Sequence, residues 1–103
     1  MKLVRDKIPE IIRKSGRSCT FYIEEDIEKI SLLLKDKMYE ELDEFLEDPS
    51  TEEASDMYEV LCALAWLNKI SMSDVLTNSI GKREKRGGFF NGIVLKEVTD
   101  GKG

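Results

Sequence analysis

The feature that most constrains this chain is a helical apolar repeat that is cut once, at Asp48-Pro49-Ser50, and then resumes. From about Glu24 to Glu47, the residues Ile27, Ile30, Leu34, Met38, Leu42 and Phe45 recur at the spacing of one helix face. From about Thr51 to Lys69, the residues Ala54, Met57, Leu61, Leu64 and Ala65 form a second stripe, opened by a Ser50/Glu53 capping-box pattern. So short a link between two long amphipathic segments favours antiparallel neighbours.

The remaining segments are shorter. Pro9 suits the first turn of a short helix ending at Lys14, with Gly16 as its stop, and Cys19 to Ile23 reads as extended loop. Another helix is expected from about Ser73 to Lys85. After Gly87-Gly88 the run Phe89 to Leu95 has the character of a short extended arm or strand, and Asp100 to Gly103 reads as a frayed tail. The expected fold is all-α, an antiparallel helical bundle of about four helices in a single domain spanning residues 1–103. Within it, 1–23 form an N-terminal arm, 24–86 the helical core and 87–103 a short extended C-terminal arm. A chain of 103 residues has room for one core without spare layers, so a partner chain is expected to cover part of its apolar surface.

Composition excludes several chemistries. The chain has no histidine, which removes Ser-His and Cys-His nucleophiles and the imidazole base. Cys19 and Cys62 have no framework spacing, arguing against a disulfide and against the usual zinc patterns. No apolar run approaches the roughly 20 residues that span a bilayer, and the first residues lack the apolar stretch of a leader, so no membrane association is expected and the cytoplasm is the default location. The net charge is −5 and unevenly spread: Glu24 to Glu59 holds fifteen acidic and three basic residues, against six and thirteen elsewhere. An acidic centre between basic ends does not suit a nucleic acid polymer, but it suits a small anion held through cations.

Two acidic pairs flank the proline break: Glu41 with Glu44, and Glu53 with Asp56. Spacing of three residues puts each pair on one helix face. On a wheel of about 100° per residue, Glu41 falls in the arc of Leu34, Met38 and Phe45, with Glu44 at its border. Glu53 falls in the arc of Met57, Leu61 and Leu64, with Asp56 at its edge. Glu40 lies four residues before Glu44, as Glu52 does before Asp56, and like charges at that spacing cost about 0.2 to 0.5 kcal/mol each. Carboxylates aimed at a helix seam need a counter-charge, for which a bound cation is one source and a paired Lys or Arg is another. If it is a metal, an all-oxygen donor set selects a hard cation, Mg²⁺ or Mn²⁺. The competing reading is ordinary acidic helix surface, with Glu52 and Glu53 serving only the cap and the helix dipole.

Basic residues admit two readings as well. Lys82, Arg83, Lys85 and Arg86 suit the end of a helix whatever the function, and Gly87-Gly88 is first a C-cap and second a phosphate-accommodating turn. Arg5 and Lys7 read as solvated surface or as anion contacts. Trp66, Tyr58 and Tyr39 are expected in the core or an interface, and Cys62 in the core.

Taken in order, the run Lys2 to Ile12, EELDE at 40–44, EEASD at 52–56 and Lys82-Arg83-Glu84-Lys85-Arg86-Gly87-Gly88-Phe89 resemble the MazG-like all-α nucleoside triphosphate pyrophosphohydrolases, nearest to their small phosphoribosyl-ATP pyrophosphohydrolase-like branch. The resemblance implies Mg²⁺-dependent hydrolysis between the α- and β-phosphates of a nucleotide, giving the monophosphate and pyrophosphate, by a homodimer or homotetramer. It implies Glu41, Glu44, Glu53 and Asp56 as metal ligands, although the eight residues between Glu44 and Glu53 are fewer than in many members. Glu40, Glu41 and Glu44 are then the expected catalytic carboxylates, with Glu40 as base or outer helper. Arg5, Lys7, Lys82, Lys85 and Arg86 are the expected contacts to the phosphates. Two other readings stay open: a true phosphoribosyl-ATP pyrophosphohydrolase of histidine synthesis, and a non-catalytic helical binding module.

Overall fold

The computed structural model describes residues 2–101 and is all-α, with four helices and no strand among the described residues. Helix α1 spans Ile8–Lys14, with Pro9 in its first turn. Helix α2 spans Ile27–Glu47 and is capped by Asp26, whose side chain accepts the Glu28 N–H at 2.9 Å. Helix α3 spans Thr51–Leu67, and the Ser50 hydroxyl oxygen accepts the Glu53 N–H at 3.1 Å. Helix α4 spans Met72–Arg86. Residues 87–101 are non-helical apart from a turn at 89–91. Of the expected frayed tail at Asp100 to Gly103, Lys102 and Gly103 lie outside the described residues.

The chain divides into two compact units, Met1–Ser71 and Met72–Gly103, a division inside the stretch 24–86. The first is organised by α2 and α3, which pack as an antiparallel hairpin across the three-residue link Asp48-Pro49-Ser50. Its buried apolar residues are Leu34, Val60 and Ala65. The stripe of α3 is therefore rotated from the sequence expectation. Val60 lies at its centre, while Leu61 is 41% exposed and Ala54 is exposed. Steps of three, four and seven residues from Val60 reach Met57, Asp56 and Glu53 on one side and Ala63, Leu64 and Leu67 on the other, all half-buried. The packing phase that buries Val60 thus turns two of the three acids of the EEASD run, Glu53 and Asp56, toward α2 and leaves Glu52 exposed. Of the aromatics expected in the core or an interface, none is in the core of this chain: Trp66 is 79% exposed, and Tyr39 and Tyr58 are exposed. Ile27, at the start of α2, is exposed too, and Cys62 is half-buried.

Helix α3 stops in a Schellman arrangement. The Ile70 N–H donates to the Ala65 carbonyl at 2.8 Å and the Lys69 N–H to the Trp66 carbonyl at 3.1 Å, with Lys69 left-handed at φ 59°.

In the second unit, Gly87 ends α4 at φ +81°, its N–H donating to the Arg83 carbonyl at 2.9 Å. A Cβ at Gly88 would collide with the Phe90 ring, and Arg83 lies over that ring at 5.9 Å. Among the described residues no single helix is long and apolar enough to cross a membrane.

Candidate metal centre

The carboxylates gather where the α2–α3 hairpin turns. Glu41, Glu53 and Asp56 can each offer an oxygen within 4.8 Å of the others', and Glu40, Glu41 and Glu44 form a second such group sharing Glu41. Glu41 is the innermost, 6% exposed, while Glu53 and Asp56 are half-buried and Glu44 is exposed. Two buried oxygens, Oε2 of Glu41 and Oε2 of Glu53, have no hydrogen-bond partner. Glu53 also bears on the capping explanation for its position. The Ser50 half of the box is made, yet no described hydrogen bond returns from the Glu53 carboxylate to the Ser50 N–H.

Unsatisfied buried carboxylate oxygens are costly, and a cation is one means of satisfying them. An all-carboxylate donor set from two rigid helices, with two oxygens left over, fits a hard divalent cation and does not fit a thiolate- or imidazole-seeking metal.

Cations of the protein engage the other oxygens. Lys37, with a side chain 19% exposed, lies 3.2 Å from Oε1 of Glu41 and 3.5 Å from Oε2 of Glu40. Lys2 donates to Oε1 of Glu40 at 2.8 Å, and Arg5 to Oδ1 of Asp56 at 2.6 Å. The Lys2 ammonium, hydrogen-bonded to Glu40, holds that carboxyl below the usual carboxylate range, and Lys2 is raised in turn. Glu44 is pushed the other way, above the usual range, first by the charge of Glu41 and then by burial and Glu53.

Beside the carboxylates runs a groove of about 510 Å³ within the first unit. Its charged lining is Glu41, Asp56, Glu59 and Asp6 with Lys37 and Arg5, and its apolar lining includes Leu34, Val60, Ala63 and Trp66, with Leu3 and Val4 contributed by the arm.

Of the residues expected at the site, Glu40, Glu41, Glu44, Glu53, Asp56 and Arg5 are together. Lys7 is exposed at the N-cap of α1 and enters none of the described ion pairs with these acids. Lys82, Lys85 and Arg86 are exposed on the C-terminal half of α4, in the other unit. Lys37 and Lys2 were not anticipated. Lys37 had a signal, since it stands three and four residues before Glu40 and Glu41; nothing local marks Lys2. No protein-family model, no curated protein and no solved structure matches this chain.

Proposed function

We propose that this chain is a Mg²⁺-dependent nucleotide pyrophosphohydrolase, with Mn²⁺ able to replace Mg²⁺, that cleaves a nucleoside triphosphate or related nucleotide between its α- and β-phosphates. The carrying observation is Glu41: an acid 6% exposed, with one carboxylate oxygen unpartnered, facing Glu53 and Asp56 from the other helix. A surface or capping role gives no reason to bury that group, and an inward carboxylate oxygen without a partner suits a metal ligand. The motif order that resembles the MazG-like proteins supplies the substrate class.

Glu41, Glu53 and Asp56 form the inner ligand set, with Glu44 at the border. When bound, Mg²⁺ neutralises phosphate charge and makes a water easier to deprotonate. Glu40, the outer carboxylate beside the ligand set, is the proposed base or outer helper. Glu40 keeps Lys2 and Lys37 in place, and Arg5 and Lys37 supply positive charge for phosphate oxygens. The apolar side of the groove receives the nucleoside. A homodimer or homotetramer is part of the proposal, given how few apolar side chains the first unit buries.

The test is pyrophosphate release from a panel of ribo-, deoxy- and damaged nucleotides and phosphoribosyl-ATP, with Mg²⁺ or Mn²⁺. Glu41→Gln and Asp56→Asn are expected to lower the rate by at least about 100-fold, the upper end of the loss from an outer-shell partner. Full metal-dependent turnover by both variants, or inactivity of the wild type across the panel, refutes the assignment. Turnover of phosphoribosyl-ATP alone narrows the substrate to that compound.

A further inference from the structure

The cations seated on these carboxylates have two origins. Lys37 belongs to α2 and stands four residues from Glu41. Lys2 and Arg5 reach back from the N-terminal arm across 38 and 51 residues, to Glu40 and Asp56. Between them Leu3 is half-buried, and the arm forms one wall of the groove that Trp66 lines from α3. Residues 2–5 are non-helical, so two exposed ion pairs and one half-buried leucine fasten this stretch.

We propose that the arm is a strap released by a divalent cation: the cation and Arg5 compete for Asp56, and loading the centre frees Arg5 and opens the groove beside Trp66. The inference rests on the metal-centre reading above. Glu41 is more than nine-tenths buried and already carries Lys37 on Oε1 at 3.2 Å, an ion pair within α2, so its unpartnered Oε2 and that of Glu53 are the oxygens open to a cation. Asp56 carries its guanidinium from outside the hairpin, with the Arg5 side chain 55% exposed and 2.6 Å from Oδ1. A second positive centre on the same carboxylate meets like-charge repulsion, so the weaker and more exposed contact yields. Coupling of this kind is reciprocal: removing Arg5 tightens the cation, and the cation loosens the arm. Arg5, once released, is free for an anion, which orders the events as cation first and phosphate second. The opposite role, with Arg5 holding Asp56 in orientation for the metal, predicts the opposite sign.

The experiment compares the full wild-type chain with Arg5→Gln. Mn²⁺ binding is followed by the paramagnetic resonance of the free ion, and Mg²⁺, which is diamagnetic, is used to follow the nuclear magnetic resonances of the Arg5 side chain and the half-buried Leu3 methyl groups. Arg5→Gln is expected to bind Mn²⁺ about two- to five-fold more tightly, the range of one exposed ion pair. Mg²⁺ is expected to shift the wild-type Arg5 and Leu3 resonances saturably, and the Leu3 methyl groups of Arg5→Gln to begin near the shifted position. Circular dichroism checks that the variant keeps the wild-type helix content. Equal or weaker Mn²⁺ binding by Arg5→Gln, or wild-type Arg5 and Leu3 resonances indifferent to Mg²⁺ while Mn²⁺ binds, overturns the strap and leaves the centre standing. If neither chain binds Mn²⁺, centre and strap fall together.

Discussion

Glu40 and Glu44 stand one turn apart on α2, yet their surroundings push them in opposite directions. The raised carboxyl of Glu44 means that the folded, metal-free chain holds that proton more tightly than the unfolded chain does. Its contribution to stability is therefore complete below the unfolded value and is lost as pH rises through the raised folded value. Glu44→Gln is expected to remove this decline, so that in chelator the variant outlasts wild type near neutral pH and loses its advantage in acid. Urea unfolding from about pH 4 to about pH 7 checks it, and an advantage that persists unchanged at the acid end refutes repulsion from Glu41 as its origin. The burial of Glu41 was legible from its recurrence with Leu34 and Met38. The pairing of Arg5 with Asp56 was not, because a non-helical arm carries no periodicity from which its path can be read.

At the scale of elements, the ends of α2 and α3 follow from their caps and from the proline break, their existence was readable from apolar spacing, and α1 was readable from Pro9 and Gly16. The phase of α3 was harder. Leu61 and Val60 are both apolar, and the wheel drawn through Leu61 misses by one residue the face that packs on α2. Only the partner helix decides between them, which is why tertiary contact overrides a local stripe. The end of α3 carries its own cost. Lys69 adopts φ 59°, where a side chain is strained and glycine is not. Lys69→Gly is expected to stabilise the chain by about 1 kcal/mol, the relieved strain exceeding the entropy that glycine loses. A urea midpoint that falls instead would show that the lysine side chain contributes more than its backbone costs.

For the molecule as a whole, the balance of buried and exposed apolar surface is the governing fact. Leu34, Val60 and Ala65 are the only apolar side chains buried among the described residues, and Leu46, Tyr39, Tyr58, Leu61 and Trp66 of the hairpin are all exposed. In the proposed homodimer or homotetramer, a second copy covers these side chains. Light scattering at micromolar concentration is expected to give two or four times the chain mass of 11.8 kDa. A mass of one chain over the whole concentration range would refute the oligomer.

The shortness of the link between α2 and α3 also governs when the centre comes into being. Glu41, Glu53 and Asp56 lie within sixteen consecutive residues, so the closure that brings them together is local and its entropic cost small. Contacts of such low sequence separation form early on the folding route. Mg²⁺ should then act on the barrier as well as on the finished protein, accelerating refolding in a stopped-flow experiment. Slower unfolding with an unchanged refolding rate would place closure of the turn after the barrier. The carboxylates meet because the hairpin is made, and on the proposed reading Mg²⁺ is expected to bind in time to help make it.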